Sequence, residues 1–205
     1  MEQSYVDYLA KIALTEEHGR EEERVTGEFR RELKAKFPEV SVVEERREYS
    51  YRPFVINSEG CENVHELMHE YCHYITASPK QRLMINYGLG GAPTEHDSLP
   101  EPEVDTSIID PHEQEFYAVI LTVIYQQYYG YDMYKCLEKM GLAMGVAMGL
   151  ENGEPVDDWI AVLKDLTAAK LIRWDEKGTP VPTFKINDGS LNLSCCAIWE
   201  AYLTK

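Results

Sequence analysis

Hydrophobic and polar positions along the chain follow patterns that predict a mostly helical protein with a few strands. In the N-terminal part, apolar residues recur at helical spacing from Ser4 to Lys36, with a break at His18-Gly19. This pattern predicts two helices. The stretches 40–45 and 48–56 are alternating or rich in β-branched residues, and each predicts a strand.

The pattern after these strands predicts further helices and one hairpin. A helix is predicted from about Glu62 to Ala77, because Pro79 follows it. The next helix begins at Asp110-Pro111, an N-cap followed by a proline in the first turn, and continues to Tyr129. Three more helices and a hairpin are predicted: after Asp132, over 156–171 and over 195–203, with the hairpin between Lys170 and Ile186 across Asp175–Gly178.

The length and order of these elements predict a single α+β domain. A chain of 205 residues is long enough for one well-buried core. We expect N-terminal helices over 1–37, a central unit over 38–130, and C-terminal helices with a hairpin over 131–205. The small sheet is expected to lie beside the helix at 62–77.

Composition excludes some partners. The formal net charge of -16 disfavours nucleic acid and anionic membrane surfaces, whose phosphates would be repelled. The most apolar run, 140–150, has about half the length that a bilayer requires. The N-terminus lacks a basic start and an apolar core, so no signal peptide is predicted. The five cysteines show no Cys-x-x-Cys spacing and are expected to be reduced thiols in a cytoplasmic protein.

The candidate chemistry lies in the predicted helix at 62–77. It contains the pattern His-Glu-x-x-His twice, as His65/Glu66/His69 and as His69/Glu70/His73. Histidines four residues apart on a helix project within about 40° of each other, so two imidazoles can hold one metal ion. The Glu after the first histidine of a pair can act as a general base. An HExxH helix beside a small sheet is a zincin-like arrangement.

The region from about 64 to 125 resembles the bacterial elongation factor P hydroxylase family. The resemblance begins with His69-Glu70-Tyr71-Cys72-His73 and continues with an aromatic residue, an alanine, an arginine in a basic segment, and an amide before aromatic-Gly. These are Tyr74, Ala77, Arg82, Asn86 and Tyr87-Gly88. The downstream spacing fits only if His69 and His73 are the metal ligands, and His65 is then an additional histidine one turn earlier.

The resemblance implies a metal held by two histidines and one carboxylate, as in non-haem iron oxygenases. The carboxylate is expected from Asp110, Glu113 or Glu115. Glu113 is the first choice, because Ala118 matches a small residue that follows the family's acid. A capping box between Asp110 and Glu113 is the competing interpretation. Glu115 is the second choice and Asp110 the third.

Three functions remain open from the sequence. The first is a metal-dependent hydroxylase or oxygenase with one divalent metal, iron favoured and zinc the alternative, acting on a protein or small-molecule substrate. The second is a zinc metallopeptidase with the same ligands, in which Glu70 takes a proton from the metal-bound water and 48–56 is an edge strand for the peptide. The third is an acidic, non-enzymatic interaction protein whose His-rich helix is structural.

Overall fold

The computed structural model describes residues 2–13, 27–36, 40–44, 51–52, 54–58, 61, 63–77, 111–131 and 157–183. At positions 2, 13, 36, 111–115, 157 and 158 it describes the backbone alone. The helices predicted after Asp132 and over 195–203 lie outside these residues. The helices are α1 Glu2–Ala13, α2 Gly27–Lys36, α3 Val64–Thr76, α4 Pro111–Tyr129 and α5 Asp157–Ala168; the strands are β1 Ser41–Val43, β2 Tyr51–Arg52, β3 Val55–Asn57, β4 Ile172–Trp174 and β5 Pro180–Pro182.

The described elements confirm a mostly helical α+β protein with small sheets. The N-terminal segment forms two helices, as its periodicity predicts, and β4 and β5 form the expected antiparallel hairpin. The three-stranded sheet packs against α3 through Tyr51 and Tyr74, whose ring centroids are 6.2 Å apart. None of the described helices combines the length and apolar character that crossing a bilayer requires.

The prediction of one strand over 48–56 is wrong for its described part. The chain turns at Phe54, which has φ 60°, so that β2 and β3 pair antiparallel instead of forming one strand. The backbone N–H of Phe54 donates to the hydroxyl of Tyr51 at 3.0 Å across this turn. Pro53 explains the break, because a proline cannot donate to a ladder and favours a turn.

Strand order also changes the role expected for this segment. In the sheet β1-β3-β2, β3 pairs in parallel with β1 and antiparallel with β2. Val55–Asn57 is therefore central, and the predicted edge strand over 48–56 is reduced, in the described residues, to Tyr51–Arg52. A strand paired on both sides has no free backbone groups with which to align a peptide.

Side-chain caps fix where α3 begins. The Oδ1 of Asn63 accepts hydrogen bonds from the backbone N–H groups of His65 at 3.0 Å and Glu66 at 3.1 Å. Its Nδ2 donates to the Glu66 carboxylate at 3.0 Å. These bonds satisfy N–H groups that have no partner within the helix. At the other end, Ala77 is extended, as expected for a segment that approaches Pro79.

Helix α4 packs between α3 and α5. Towards α5, the ring of Phe116 lies 4.6 Å from that of Trp159, and the hydroxyl of Tyr117 donates to Asp165 at 2.7 Å. Its residues from Ala118 to Tyr125 are all buried. A helix that is apolar on all sides is typical of a core element, because it has no side suited to water.

Both α4 and α5 end in a left-handed residue. After α4, Gly130 has φ 69°, and Tyr131 N–H bonds back to the Gln126 carbonyl at 3.0 Å. After α5, the corresponding residue is Lys170 with φ 59°, and Leu171 N–H bonds to the Leu166 carbonyl at 2.9 Å. This is the Schellman arrangement, in which glycine avoids the steric cost that a Cβ brings.

We expect Lys170→Gly to stabilise the protein by about 0.5–1 kcal/mol, because glycine adopts this conformation without strain. Gly130→Ala, at the equivalent position of α4, is the matched control and should destabilise by a similar amount. The free energy of unfolding from urea titrations measures both changes. A destabilised Lys170→Gly protein would contradict the expectation.

Candidate metal centre

The centre of the site is the contact between His69 and His73 on α3. Their Nε2 atoms lie 2.9 Å apart, and their rings meet edge to face with centroids 4.4 Å apart. One helical turn separates the two residues, so the backbone of α3 aligns them. The structure thus brings together the two histidines that the sequence assigns as ligands.

The short distance restricts what lies between the rings. Two nitrogen lone pairs facing each other at 2.9 Å repel unless a proton or a metal ion lies between them. With imidazole–metal bonds of about 2.1 Å, this separation corresponds to an angle of about 90° at the metal. The separation fits a hydrogen bond in which one imidazole donates to the other, and it also fits a single metal ion bound through both Nε2 atoms.

Burial makes the two sides of α3 different. His65 and His73 are buried, with 3% and 2% of their surfaces exposed. His69 is half-buried, and so are Glu66 and Glu70. These three residues form the side of α3 that is open to solvent. A ligand or substrate can therefore approach the pair from the side of His69.

The third histidine follows the same stripe. His65 precedes His69 by one turn, and its backbone N–H is held by the Asn63 cap. Its burial places it against the core at the start of α3. The sequence predicts it as an additional histidine beside the pair, and this assignment stays a prediction.

The three candidate acids are described only in part. For Glu113 and Glu115, in the first turns of α4, the structure describes the backbone and not the side chains. Asp110 lies outside the described residues. Among the side chains that are described, no group of three or more His, Cys, Asp or Glu could hold a metal ion. The third ligand thus stays a prediction.

One neighbour of the site was not predicted. Cys61 is half-buried, and its pKa is raised to about 12 by burial and by the negative charges of Glu70 and Glu66, while Arg30 lowers it. Arg30 reaches this place from α2, donating to Glu44 at 2.9 Å and to the Ser58 hydroxyl at 3.1 Å. No local pattern could reveal the approach of Arg30, because α2 is distant in sequence from Cys61.

Comparison of the chain with protein-family models, with curated proteins and with solved structures gives no match to any of them.

We expect the Cys61 thiol to be protonated and slow to alkylate at pH 8, because thiolate is the reactive form and the pKa is about 12. Glu66→Gln and Glu70→Gln should each lower that pKa and accelerate alkylation, since each removes a negative charge near the thiolate. Iodoacetamide labelling at several pH values, followed by mass spectrometry of the Cys61 peptide, measures the rates. Glu28→Gln, an exposed substitution on α2, should leave the rate unchanged; equal rates in all variants would contradict the assignment.

Proposed function

We propose that this protein is a metal-dependent hydroxylase or oxygenase whose metal is bound by His69, His73 and one carboxylate of α4. The observation that carries the proposal is the 2.9 Å separation of the two Nε2 atoms on a partly open helix face. A helix that carries His-Glu-x-x-His beside a small sheet is a zincin-like arrangement, and we propose that α3 and its sheet have this arrangement. The substrate is a protein or a small molecule.

The resemblance to the hydroxylase family favours iron over zinc. The 2.9 Å separation of the two Nε2 atoms is also that of two nitrogens sharing a proton, so it does not select between the two metals. Two histidines and one carboxylate on one side of a six-coordinate metal leave open positions for oxygen and substrate. When bound, the metal would supply oxygen activation. The metallopeptidase hypothesis requires an edge strand that aligns a peptide, and it is second because Val55–Asn57 is paired on both sides.

Glu70 is proposed to move a proton at this site. Its carboxylate follows His69 directly on the half-exposed side of α3, next to the direction from which a substrate would approach. A carboxylate there can accept a proton from a substrate group without leaving its own helix. The negative charge of Glu70 also contributes to the raised pKa of Cys61.

Helical register separates the two acids on α4. Position 113 precedes Phe116 by three residues and Tyr117 by four, so it shares the side of α4 that contacts α5. Position 115 lies about 160° from position 113 around the helix, away from the side that contacts α5. The register thus supports Glu115 as third ligand ahead of Glu113, reversing the order inferred from the sequence.

We expect protein purified without oxygen to contain close to one equivalent of iron, and His69→Ala or His73→Ala to lose it while keeping the fold. Elemental analysis measures the metal, and circular dichroism the fold. His65→Ala is the matched control on the same stripe and should retain most of the metal. Full metal content in both ligand variants would contradict the site, and zinc in place of iron would favour the metallopeptidase.

Cobalt substitution tests the coordination geometry. Co²⁺ in a six-coordinate site absorbs weakly in the visible range, whereas four-coordinate Co²⁺ absorbs several-fold more strongly. We expect the weak spectrum in the wild-type protein and its disappearance in His69→Ala. A strong four-coordinate spectrum would reject the oxygenase geometry and favour the zinc enzyme. If the wild-type protein binds no Co²⁺, the remaining hypothesis is the acidic, non-enzymatic interaction protein.

We expect Glu115→Ala to weaken metal binding by roughly tenfold or more and Glu113→Ala to have little effect. Calorimetric titration of the metal-free proteins with Fe²⁺ under anaerobic conditions gives both affinities. A carboxylate of α4 can bind the metal only if the first turns of α4 lie close to the histidines of α3. The experiment therefore also tests this arrangement of the two helices. Unchanged affinity in both variants would assign the third ligand to another part of the chain.

A further inference from the structure

Gln126 is a polar side chain enclosed in the otherwise apolar middle of α4. Its exposed fraction is 0%, and among the residues that the structure describes neither its side-chain oxygen nor its side-chain nitrogen has a hydrogen-bond partner. Burying an amide without a partner costs free energy, so buried polar groups in folded proteins are almost always bonded to the protein or to ordered water. The Gln126 amide is therefore a group that requires a polar partner.

Thr122 lies one turn before Gln126 on the same side of the helix, because residues four positions apart are neighbours on a helix surface. Thr122 is also 0% exposed. Its hydroxyl donates to the Ala118 carbonyl at 2.7 Å, which uses the hydrogen and leaves the oxygen able to accept. The two residues thus place an unpartnered amide and an accepting oxygen next to each other inside the core.

Helical register places this pair away from α5. Nine residues separate Gln126 from Tyr117, which is a rotation of about 180° around α4. Tyr117 is on the side of α4 that contacts α5, through its hydrogen bond to Asp165. Since α4 packs between α3 and α5, Gln126 lies on the side towards α3. Bulk solvent does not reach the amide there, so a water molecule that binds it is an internal part of the folded protein.

We propose that ordered water is bound inside the protein between the side chains of Gln126 and Thr122. The amide nitrogen of Gln126 donates to the water oxygen, and the water donates to the hydroxyl oxygen of Thr122. Water fits the pair because both groups are uncharged, whereas an ion buried there would have no opposite charge to compensate it. This site does not depend on the metal chemistry proposed for α3.

The bound water gives α4 a preferred rotation in the core. A helix that is apolar on all sides can rotate among similar packings, because its faces are nearly equivalent. Thr122 and Gln126 make one side different, since their polar groups are satisfied only where the water is enclosed with them. The water site thus favours the rotation of α4 that the structure shows.

Nuclear magnetic resonance of the full-length, isotope-labelled wild-type protein tests for this water directly. We expect the side-chain N–H groups of Gln126 to give cross-peaks to water that have opposite signs in NOE and ROE spectra. Opposite signs indicate a water molecule that tumbles with the protein, whereas equal signs indicate proton exchange. Equal signs, or the absence of these cross-peaks, would overturn the proposal.

A double-mutant cycle tests whether Gln126 and Thr122 share the water. Gln126→Met removes the amide and Thr122→Val removes the hydroxyl, each with little change in volume. We expect each substitution to lower the urea midpoint of unfolding, and the double variant to lower it by clearly less than the sum, because both changes disrupt the same water. Additive effects would overturn the shared site. A raised midpoint in Gln126→Met, as for an amide with no partner at all, would overturn the bound water.

Thr167→Val is the matched control for the cycle. Thr167 lies on α5 and also donates to the carbonyl four residues before it, that of Leu163 at 2.7 Å. Its loss should therefore resemble the loss of the Thr122 hydroxyl in every respect except the proposed water. We expect Thr167→Val and Gln126→Met to have additive effects on the urea midpoint. The same departure from additivity as with Thr122→Val would overturn the assignment of the water to Thr122.

Discussion

Burial of α3 is the constraint on which the rest of the described structure depends. Ten of its thirteen residues are buried, although the helix carries three histidines and two glutamates. A helix this polar can be buried only if each polar group has a partner or a side open to water. In the first turn, Asn63 accepts a hydrogen bond from a backbone N–H, and in the last turn the Thr76 hydroxyl donates to the Cys72 carbonyl. In the middle of the helix, Glu66, His69 and Glu70 lie on a half-exposed face that water can reach.

The contact between His69 and His73 follows from this burial. On an exposed helix, two imidazoles would separate and hydrate, since water satisfies each of them independently. With His73 in the core, the ring of His69 can lie over it with the two Nε2 atoms 2.9 Å apart. An arrangement that a proton or a metal must complete is thus held by the packing of the whole helix. A binding site held in this way loses little entropy when its ligand arrives.

The C-terminal end of α4 depends on the same packing. Helix α4 packs against α3 on one side and against α5 on the other. After its last turn, the hydroxyl of Tyr131 donates to the Glu32 carboxylate of α2. Each buried hydroxyl requires a hydrogen-bond partner, and this bond supplies one between two distant segments of the chain.

Most helices and the contact between His69 and His73 follow from the sequence, because both depend on residues close in the chain. Apolar periodicity and the prolines locate α3 and α4 closely, and the spacing of four residues joins His69 and His73 wherever a helix forms. Local signals could not decide which face of α4 turns towards α3, so they could not choose between Glu113 and Glu115, and the third ligand stays a prediction. Nor could they divide 48–56 into two strands, place Arg30 and Cys61 together, or pair Tyr131 with Glu32, 99 residues apart. Those relations are decided by packing between distant segments, where the free energy comes from burying apolar surface and not from any short pattern.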